Sequence, residues 1–500
     1  MEKTQKKRSV LRFPAYVFLA VQAVAFILAG MKLKEMDILP AEYMIMFIGV
    51  AVFFMVLEIV LTLLVFRRKI GFILIMIFSI LITTGAVWAY TALKEVDDTI
   101  DQVTDTPDEV ITEMAILVLK DSEIEDVTDI AQYSIGYVDT LDVDATDELK
   151  DEINKSLGTT PDYVTFSNIM NLADALYSRT INAIIINTAF IDILVETEQY
   201  ANFSTETKEI YSAEIKGYMN LVDDETENED DAKVKETFII YVSGNDHFGA
   251  IEKSKRSDVN ILLVVNTKTK TVQMINTPRD YFITFPNTGD VKDKLTHAGL
   301  YGVKNSMGAL ENLYGIKIDY YVRMNFSGFE AIINALGGID VYSEFDFTVE
   351  PIKHYVVGVN HLNGLEALAF ARERHAFPKG DVQRGIHQME VIRATLDKMM
   401  SPAILYSYTD VLNSIAGMIQ TNISSEEIYG LVKMQLKDKS EWNFQTFTVT
   451  GSGAESVTFS MPNYPTYVMV PNEEVVETAK QLINNVLNPE PAEQENSTQE

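Results

Sequence analysis

The stretch Ser257 to Asp280, SDVNILLVVNTKTKTVQMINTPRD, decides how the folded part of this chain is built. Two β-branched apolar runs flank the polar turn NTKTK, which is the pattern of a β-hairpin. The midpoint between Asp258 and Arg279 falls between Lys268 and Thr269, inside that turn. Antiparallel pairing therefore brings Asp258, just before the first strand, beside Arg279, just after the second. Pro278 cannot donate to a ladder, so the strand ends there and a loop begins at Arg279.

A second stretch, Gly364 to Gln388, GLEALAFARERHAFPKGDVQRGIHQ, is out of character with the rest of the chain. The formal net charge is -31, yet Arg372, Arg374, Lys379 and Arg384 crowd around Asp381. Read as a strand, ALAFARER puts Leu368, Phe370, Arg372 and Arg374 on one face, with the two guanidiniums about 7 Å apart and His375 on the other face. That spacing suits two linked phosphates. Beyond the turn FPKG, Asp381, Arg384 and Gln388 share one face of a helix whose N-terminus attracts anions. Arginine is suited to bidentate phosphate recognition, and a carboxylate among arginines stays ionised and can hold a hard cation such as Mg²⁺. The competing reading is a surface salt-bridge lattice, in which Arg372 pairs with Glu373 or Asp381 and contributes little.

Three apolar runs open the chain, roughly Leu11 to Met31, Tyr43 to Phe66 and Ile70 to Leu93. Each is long enough to cross a hydrocarbon core, which takes about 20 helical residues. Lys3, Lys6, Lys7 and Arg8 precede the first run, and Arg67, Arg68 and Lys69 separate the second from the third, so both flanks are assigned to the cytoplasm. Everything after Leu93 is then expected outside the cell, with no cytosolic catalytic or DNA-binding domain. The first run lacks a small-residue cleavage pattern, so a cleaved signal peptide is not expected. Glu58 lies in the second run, as a functional group or as a contact between helices.

The 500 residues divide into an anchor (1–93), an acidic accessory unit (94–235), a second unit (236–488) and a polar tail (489–500) expected to be disordered. In the accessory unit, helical stretches alternate with the apolar runs MAILVL, SIGYV and NAIIIN, which predicts a small α/β domain. Its acidic run DDETENEDD lacks the spaced ligands and glycine of an EF-hand loop and reads as a solvated linker. The second unit opens on the β-rich run FIIYVSG and holds every histidine, at positions 247, 297, 354, 361, 375 and 387. His375 and His387 are candidates for assisting proton transfer; most of the six are expected to be structural. The absence of cysteine excludes disulfides and thiol nucleophiles, and the acidic balance argues against nucleic acid as a partner. There is no GxSxG, Walker A or HExxH motif, so serine-hydrolase, P-loop and zincin chemistry have no support.

At these residues the sequence resembles the LytR-CpsA-Psr family, in the capsule-type CpsA branch of Gram-positive bacteria with three membrane spans and an extracellular accessory domain. The resemblance rests on SGND at Ser243 to Asp246, RSDVN at Arg256 to Asn260, TPRDYF at Thr277 to Phe282 and DKLTHAGLYG at Asp293 to Gly302. It continues through DYYVRMNFSGF, INALGGIDV, HLNGLEALAFARERHAF and GDVQRGIHQ, covering most of Glu236 to about Met400; the anchor matches in layout only.

The resemblance implies an α/β fold in which a central mixed sheet is flanked by helices. It implies a magnesium-dependent phosphotransferase that moves a glycan, with its phosphate, from an undecaprenyl-diphosphate carrier to the muramic acid C6 hydroxyl of peptidoglycan. Asp258 and Asp381 would hold Mg²⁺, with Mn²⁺ as an alternative. Arg279, Arg372, Arg374, Arg384 and Gln388 match diphosphate-binding positions, with Lys294 a further candidate. Asp246 matches a third acidic position, as a ligand or as the base; it is followed by His247 and Phe248, where a small or charged residue is expected. Apolar strand faces would line a lipid tunnel, although any core has such faces. The implied partners are the carrier-linked glycan, peptidoglycan, the bilayer and other capsule-assembly membrane proteins. Two other functions compete: a membrane regulator of capsule synthesis, and a polyprenyl-diphosphate binding or hydrolysing protein without transferase activity.

Overall fold

The architecture is a computed structural model that describes residues 2–65, 69–104, 109–195, 197–218, 234–245, 255–401, 411 and 417–489. Asp246, the acidic run at 223–231 and the tail from 490 onward lie outside the described residues.

The apolar runs form helices α1 (Glu2–Met36), α2 (Ala41–Val65) and α3 (Lys69–Thr104). Their candidate spans are Tyr16–Met36, Ala41–Leu64 and Ile73–Thr104. Ile45, Leu64, Leu74 and Trp88 face outward, an arrangement that suits hydrocarbon rather than water. Inside the bundle, Glu58 accepts a hydrogen bond from Ser79, so this buried carboxylate joins α2 to α3. The third helix is longer than the run that announced it. Beyond the expected end of the anchor at residue 93 it continues to Thr104, about 16 Å of further helix. Val96, Ile100 and Val103 recur at helical spacing there and are buried. With Leu33 and Met36 they enter one core that includes Ile332, Ile339, Phe370 and Tyr429 of the C-terminal unit. Tyr429 donates to Asp97 at 2.8 Å and Ser425 to Asp101 at 2.8 Å along the same seam.

The accessory unit is an α/β domain. Its strands are β1 (Glu109–Leu119), β2 (Ser134–Val138), β3 (Asp162–Phe166), β4 (Ala183–Asn187) and β5 (Thr207–Tyr218), in sheet order β3-β2-β4-β1-β5. The three apolar runs became β1, β2 and β4. The sequence reading missed β5, KEIYSAEIKGY after Thr207, because as an edge strand it carries charges.

The C-terminal unit is built on β6 (Thr237–Asn245), β7 (Val259–Asn266) and β8 (Thr271–Asn276). The hairpin forms in the expected register, Asn266 opposite Thr271. Strand Tyr320–Asn325 joins β6 in parallel and Asn443–Thr448 joins β8 in parallel, which makes a six-stranded mixed sheet. Both faces are covered, so β7 is apolar without alternation from Ile261 to Val265. Leu262 and Val264 pack with Ala479 and Ile483 of one helix, whereas Ile261, Leu263 and Val265 pack with Met389 of another.

The expectation that ALAFARER is a strand is wrong. Gly364–Arg372 is an α-helix, started by a capping box in which Asn363 accepts from the Glu366 amide at 3.0 Å while Glu366 accepts from the Asn363 amide at 3.0 Å. Alanine, leucine, glutamate and arginine are strong helix formers, and with that cap they outweigh the alternation of apolar and charged residues. Gly364 lets this helix press on helix Phe326–Ala335, because a Cβ there would sit 2.4 Å from the Glu330 carbonyl oxygen. Gly364→Ala is therefore expected to destabilise the full chain by about 1–3 kcal/mol. Thermal unfolding in detergent checks this, and an unchanged midpoint would count against the close approach.

Candidate functional site

The hairpin delivers its two ends as a clamp. Arg279 Nη1 donates to Asp258 Oδ1 at 2.9 Å, and Thr296 Oγ1 donates to the same oxygen at 3.3 Å. The amide of Asp258 donates to the Gly244 carbonyl at 2.8 Å, which ties it to the end of β6. Burial pushes the Asp258 carboxyl up, but the guanidiniums of Arg279 and Arg256, with Arg384 beyond, outweigh it and hold the group below its ordinary value. Asp258 is therefore a carboxylate at neutral pH.

The second half comes from two helix ends. Helix Gly364–Arg372 stops at Arg372, and Glu373 is extended, so Arg372, Arg374 and His375 sit around a turn. Arg372 lies over the Phe326 ring, 4.4 Å from its centroid. Helix Asp381–Met399 begins after Gly380. It approaches the end of β8 so closely that a Cβ on Gly385 would be 2.1 Å from Asn276 Nδ2. That approach carries Arg384 and Gln388 to the same place as the hairpin end.

A cavity of about 580 Å³ results, lined by both charged and apolar side chains. Arg256, Arg279, Arg372, Arg374 and Arg384 line it with Asp258 and Gln388, whereas Met324, Phe329, Leu368 and Ile392 supply apolar walls. His375 lines it too, which corrects its expected place opposite the arginines: with a helix end in place of a strand, the alternation that separated them does not exist. Arg256 was not assigned as a site residue; its position two residues ahead of Asp258 at the start of β7 was the available signal. Burial and the guanidiniums of Arg279 and Arg374 lower Arg384 from its ordinary value, against the pull of Asp381 and Asp258. The cluster is thus crowded with positive charge and suits a polyanion.

Two expected residues stand apart from the lining, and a third is not described. Asp381 forms an ion pair with Arg384 Nη2 at 2.7 Å, from the first turn of its helix. Lys294 is directed to Asp280, 3.7 Å away, and Asp280 in turn lies 3.8 Å from Arg279 Nε, so Lys294 stands one residue behind the clamp. Asp246 lies outside the described residues. The salt-bridge lattice is not what forms: among the described residues neither Arg372 nor Arg374 makes an ion pair, and Asp381 pairs with Arg384. His387 is packed among Phe347, Phe370 and Phe377, and burial lowers it to about 4, so it is neutral at physiological pH and structural.

The depressed Asp258 carboxyl makes a testable demand. A carboxylate lowered in the folded state stabilises above its unfolded value, about 3.9, and loses that contribution as pH falls through the folded value. The difference in Tm between the parent chain and Asp258→Asn should be constant from pH 7 to about 5 and shrink only below about 4. A difference that changes between pH 7 and 5 would contradict the clamp.

Residues 198–484 match the LytR_cpsA_psr family. Among curated relatives, the polyisoprenyl-teichoic acid–peptidoglycan teichoic acid transferase TagU of Bacillus mycoides is 34% identical over 195 residues, which is 39% of this chain and 63% of that protein. The chain thus spans under two thirds of the length of the TagU relatives it matches. The corresponding TagT of Bacillus subtilis is 32% identical over 263 residues, 50% of this chain and 78% of that protein. Similar solved structures include protein gbs0355 from Streptococcus agalactiae, 27% identical with a TM-score of 0.44, covering 52% of this chain and 90% of that one. Another is TagT bound to LI-WTA, 28% identical with a TM-score of 0.42, covering 52% of this chain and 94% of that one. With its family match spanning more than half its length and ending just short of the tail, the chain belongs to the LytR-CpsA-Psr family.

Proposed function

We propose that this protein attaches a carrier-borne glycan to the cell wall, transferring the glycan with its phosphate from undecaprenyl diphosphate to peptidoglycan. The observation that carries this reading is the mixed lining of the cavity. Guanidiniums from three separate segments, Arg256 and Arg279, Arg372 and Arg374, and Arg384, line it together with the apolar side chains of Met324, Phe329, Leu368 and Ile392. An amphiphile with two linked phosphates and a hydrocarbon tail matches that combination. The TagU and TagT relatives, named as transferases of teichoic acid from a polyisoprenyl carrier to peptidoglycan, support the same class of reaction. The glycan would be capsular or another wall polymer, and the basic flanks of the apolar helices support a cytoplasmic N-terminus with both folded units outside a Gram-positive cell.

In this reaction the acceptor hydroxyl oxygen bonds to the phosphorus on the glycan side of the diphosphate. The bond from that phosphorus to the bridging oxygen breaks, and the carrier monophosphate leaves with the electron pair. The hydroxyl proton passes to a base, for which Asp246 is the candidate by resemblance. Such chemistry needs positioning and charge neutralisation rather than a side-chain nucleophile. Arg279, Arg372, Arg374 and Arg384 are suited to hold the diphosphate and take up charge on the leaving phosphate, with Gln388 as a neutral partner.

The residues also fit a divalent cation. Both donors to Asp258 converge on Oδ1, so Oδ2 takes neither bond. Asp381 Oδ1 is buried and makes its ion pair with Arg384 without hydrogen-bond geometry. Among the described residues no cluster of three or more His, Asp and Glu could hold a metal unaided. That suits Mg²⁺, or Mn²⁺, which is typically held by one or two carboxylates together with substrate phosphates. When bound, it would neutralise charge on the diphosphate; Asp258 and Asp381 would hold it.

The test uses the full chain in vesicles with a carrier-linked glycan and peptidoglycan. Asp258→Ala and Arg372→Ala should each reduce transfer by about 10²–10³-fold. Chelation should abolish transfer, with Mg²⁺ or Mn²⁺ restoring it. Unchanged transfer by Arg372→Ala would sink the proposal, and release of free glycan phosphate in place of a wall-linked product would replace it with hydrolysis.

A further inference from the structure

The segment Asp293–Tyr301, DKLTHAGLY, has two faces that serve different parts of the molecule. One face holds the clamp. The Thr296 amide donates to the Arg279 carbonyl at 2.8 Å, its carbonyl accepts from the Ser257 amide at 3.0 Å, and its hydroxyl reaches Asp258 Oδ1 at 3.3 Å. Thr296 therefore touches both ends of the hairpin at once. Gly299 permits this intimacy: a Cβ there would lie 2.5 Å from the Lys255 carbonyl oxygen and 2.9 Å from the Ser257 nitrogen.

The other face is embedded in the accessory domain. Leu300 and Met461 belong to one core with Leu172, Ile184 and Phe190 of the accessory domain. The Tyr301 ring meets Phe190 edge-on at 6.4 Å, and Asn168 Nδ2 donates to the Pro462 carbonyl at 3.0 Å. Between the faces lies a fully buried fastening. Asp293 Oδ1 is bonded to His297 Nδ1 at 2.8 Å and to the Lys294 amide at 2.7 Å. Its Oδ2 accepts from the amide and hydroxyl of Ser460 at 2.8 and 2.5 Å. The segment and the loop around Ser460 are thus one rigid piece, docked on the accessory domain.

We propose that Thr296 is a positioning residue for Asp258, and that the accessory domain is the brace that keeps Thr296 in place. The inference rests on the proposed transfer reaction. A carboxylate held by two donors on one oxygen has a fixed plane, and its second oxygen is presented in one direction. With only Arg279 remaining, the carboxylate can rotate about that single bond, and the geometry a diphosphate or a cation must meet is lost. The accessory domain in this view touches no substrate; it sets the orientation of a group that does.

The test uses the full chain in lipid nanodiscs. Thr296→Val, which keeps the shape and removes the hydroxyl, should lower kcat by about 5- to 30-fold with the acceptor KM changing less than about twofold. Thr296→Ser should restore most of the rate. On the accessory side, Leu300→Ala should raise hydrogen exchange at the Ser257 and Thr296 amides at least about tenfold while the β7–β8 ladder amides stay protected. Leu300→Val serves if the alanine variant does not fold. Parental kcat for Thr296→Val overturns the positioning role, and unchanged exchange at Ser257 and Thr296 overturns the brace. If Asp258→Ala itself transfers at the parental rate, the reaction assignment has failed rather than the brace, which the exchange measurement still decides because it needs no turnover.

Discussion

The pairing of Asp258 with Arg279 is the constraint to which the rest of the site is fitted. Both residues lie just off the ends of a hairpin whose interior is buried on both faces, so neither can move without disturbing β7 and β8. Removing either partner takes from the other its hydrogen-bonded counter-ion in a largely buried position, which costs more than the pair contributes. That asymmetry fixes the position of Arg256 and Arg384, whose charges act on the same carboxylate. The guanidiniums outnumber the carboxylates among them, and the cavity that they line is where a polyanion can enter.

The anchor is coupled to this site more tightly than a linker would allow. Because α3 runs unbroken to Thr104 and its apolar face continues into the core of the C-terminal unit, that unit is packed directly onto the last of the three apolar helices. Helix Ser425–Asp438 reinforces the seam: Tyr429 bonds Asp97 and Lys433 bonds Asp37 at 2.6 Å. The height and tilt of the cavity are therefore set by packing.

What was legible in the sequence follows from the range of the interactions. The hairpin was legible because its register depends only on a turn and two flanking runs, and the arithmetic that joined Asp258 to Arg279 holds to the residue. The helix carrying Arg384 and Gln388 was legible for the same local reason. The segment before it was misread, since period-two alternation in ALAFARER competes with a capping box at Asn363 and Glu366, and the cap prevailed. The arginines still converge, because the helix ends at Arg372 and both Arg372 and Arg374 line the cavity. Thr296 was illegible as a site residue, because it matters through a neighbour brought close by tertiary packing; for Arg256 the nearness to Asp258 in sequence was the one signal. Lys294 shows the converse, a charged residue in a matched motif that tertiary structure turns toward Asp280 instead.

The size of the cavity bears on where the site must work. About 580 Å³ lies in the range of roughly 300–1,000 Å³ that encloses a drug-sized ligand. On the proposed function, an undecaprenyl tail is too long to be enclosed there. Each methylene held in water rather than in an apolar environment costs about 0.8 kcal/mol, so a carrier whose tail projected into solvent would bind poorly however well its diphosphate was held. Leu365 both lines the cavity and is half exposed, which makes the apolar wall open to the outside rather than closed. A site of this size is therefore consistent with a carrier whose headgroup is clamped while the rest of its tail stays in hydrocarbon. The unbroken packing of α3 into the core of the C-terminal unit is what allows the two to be held at a constant separation.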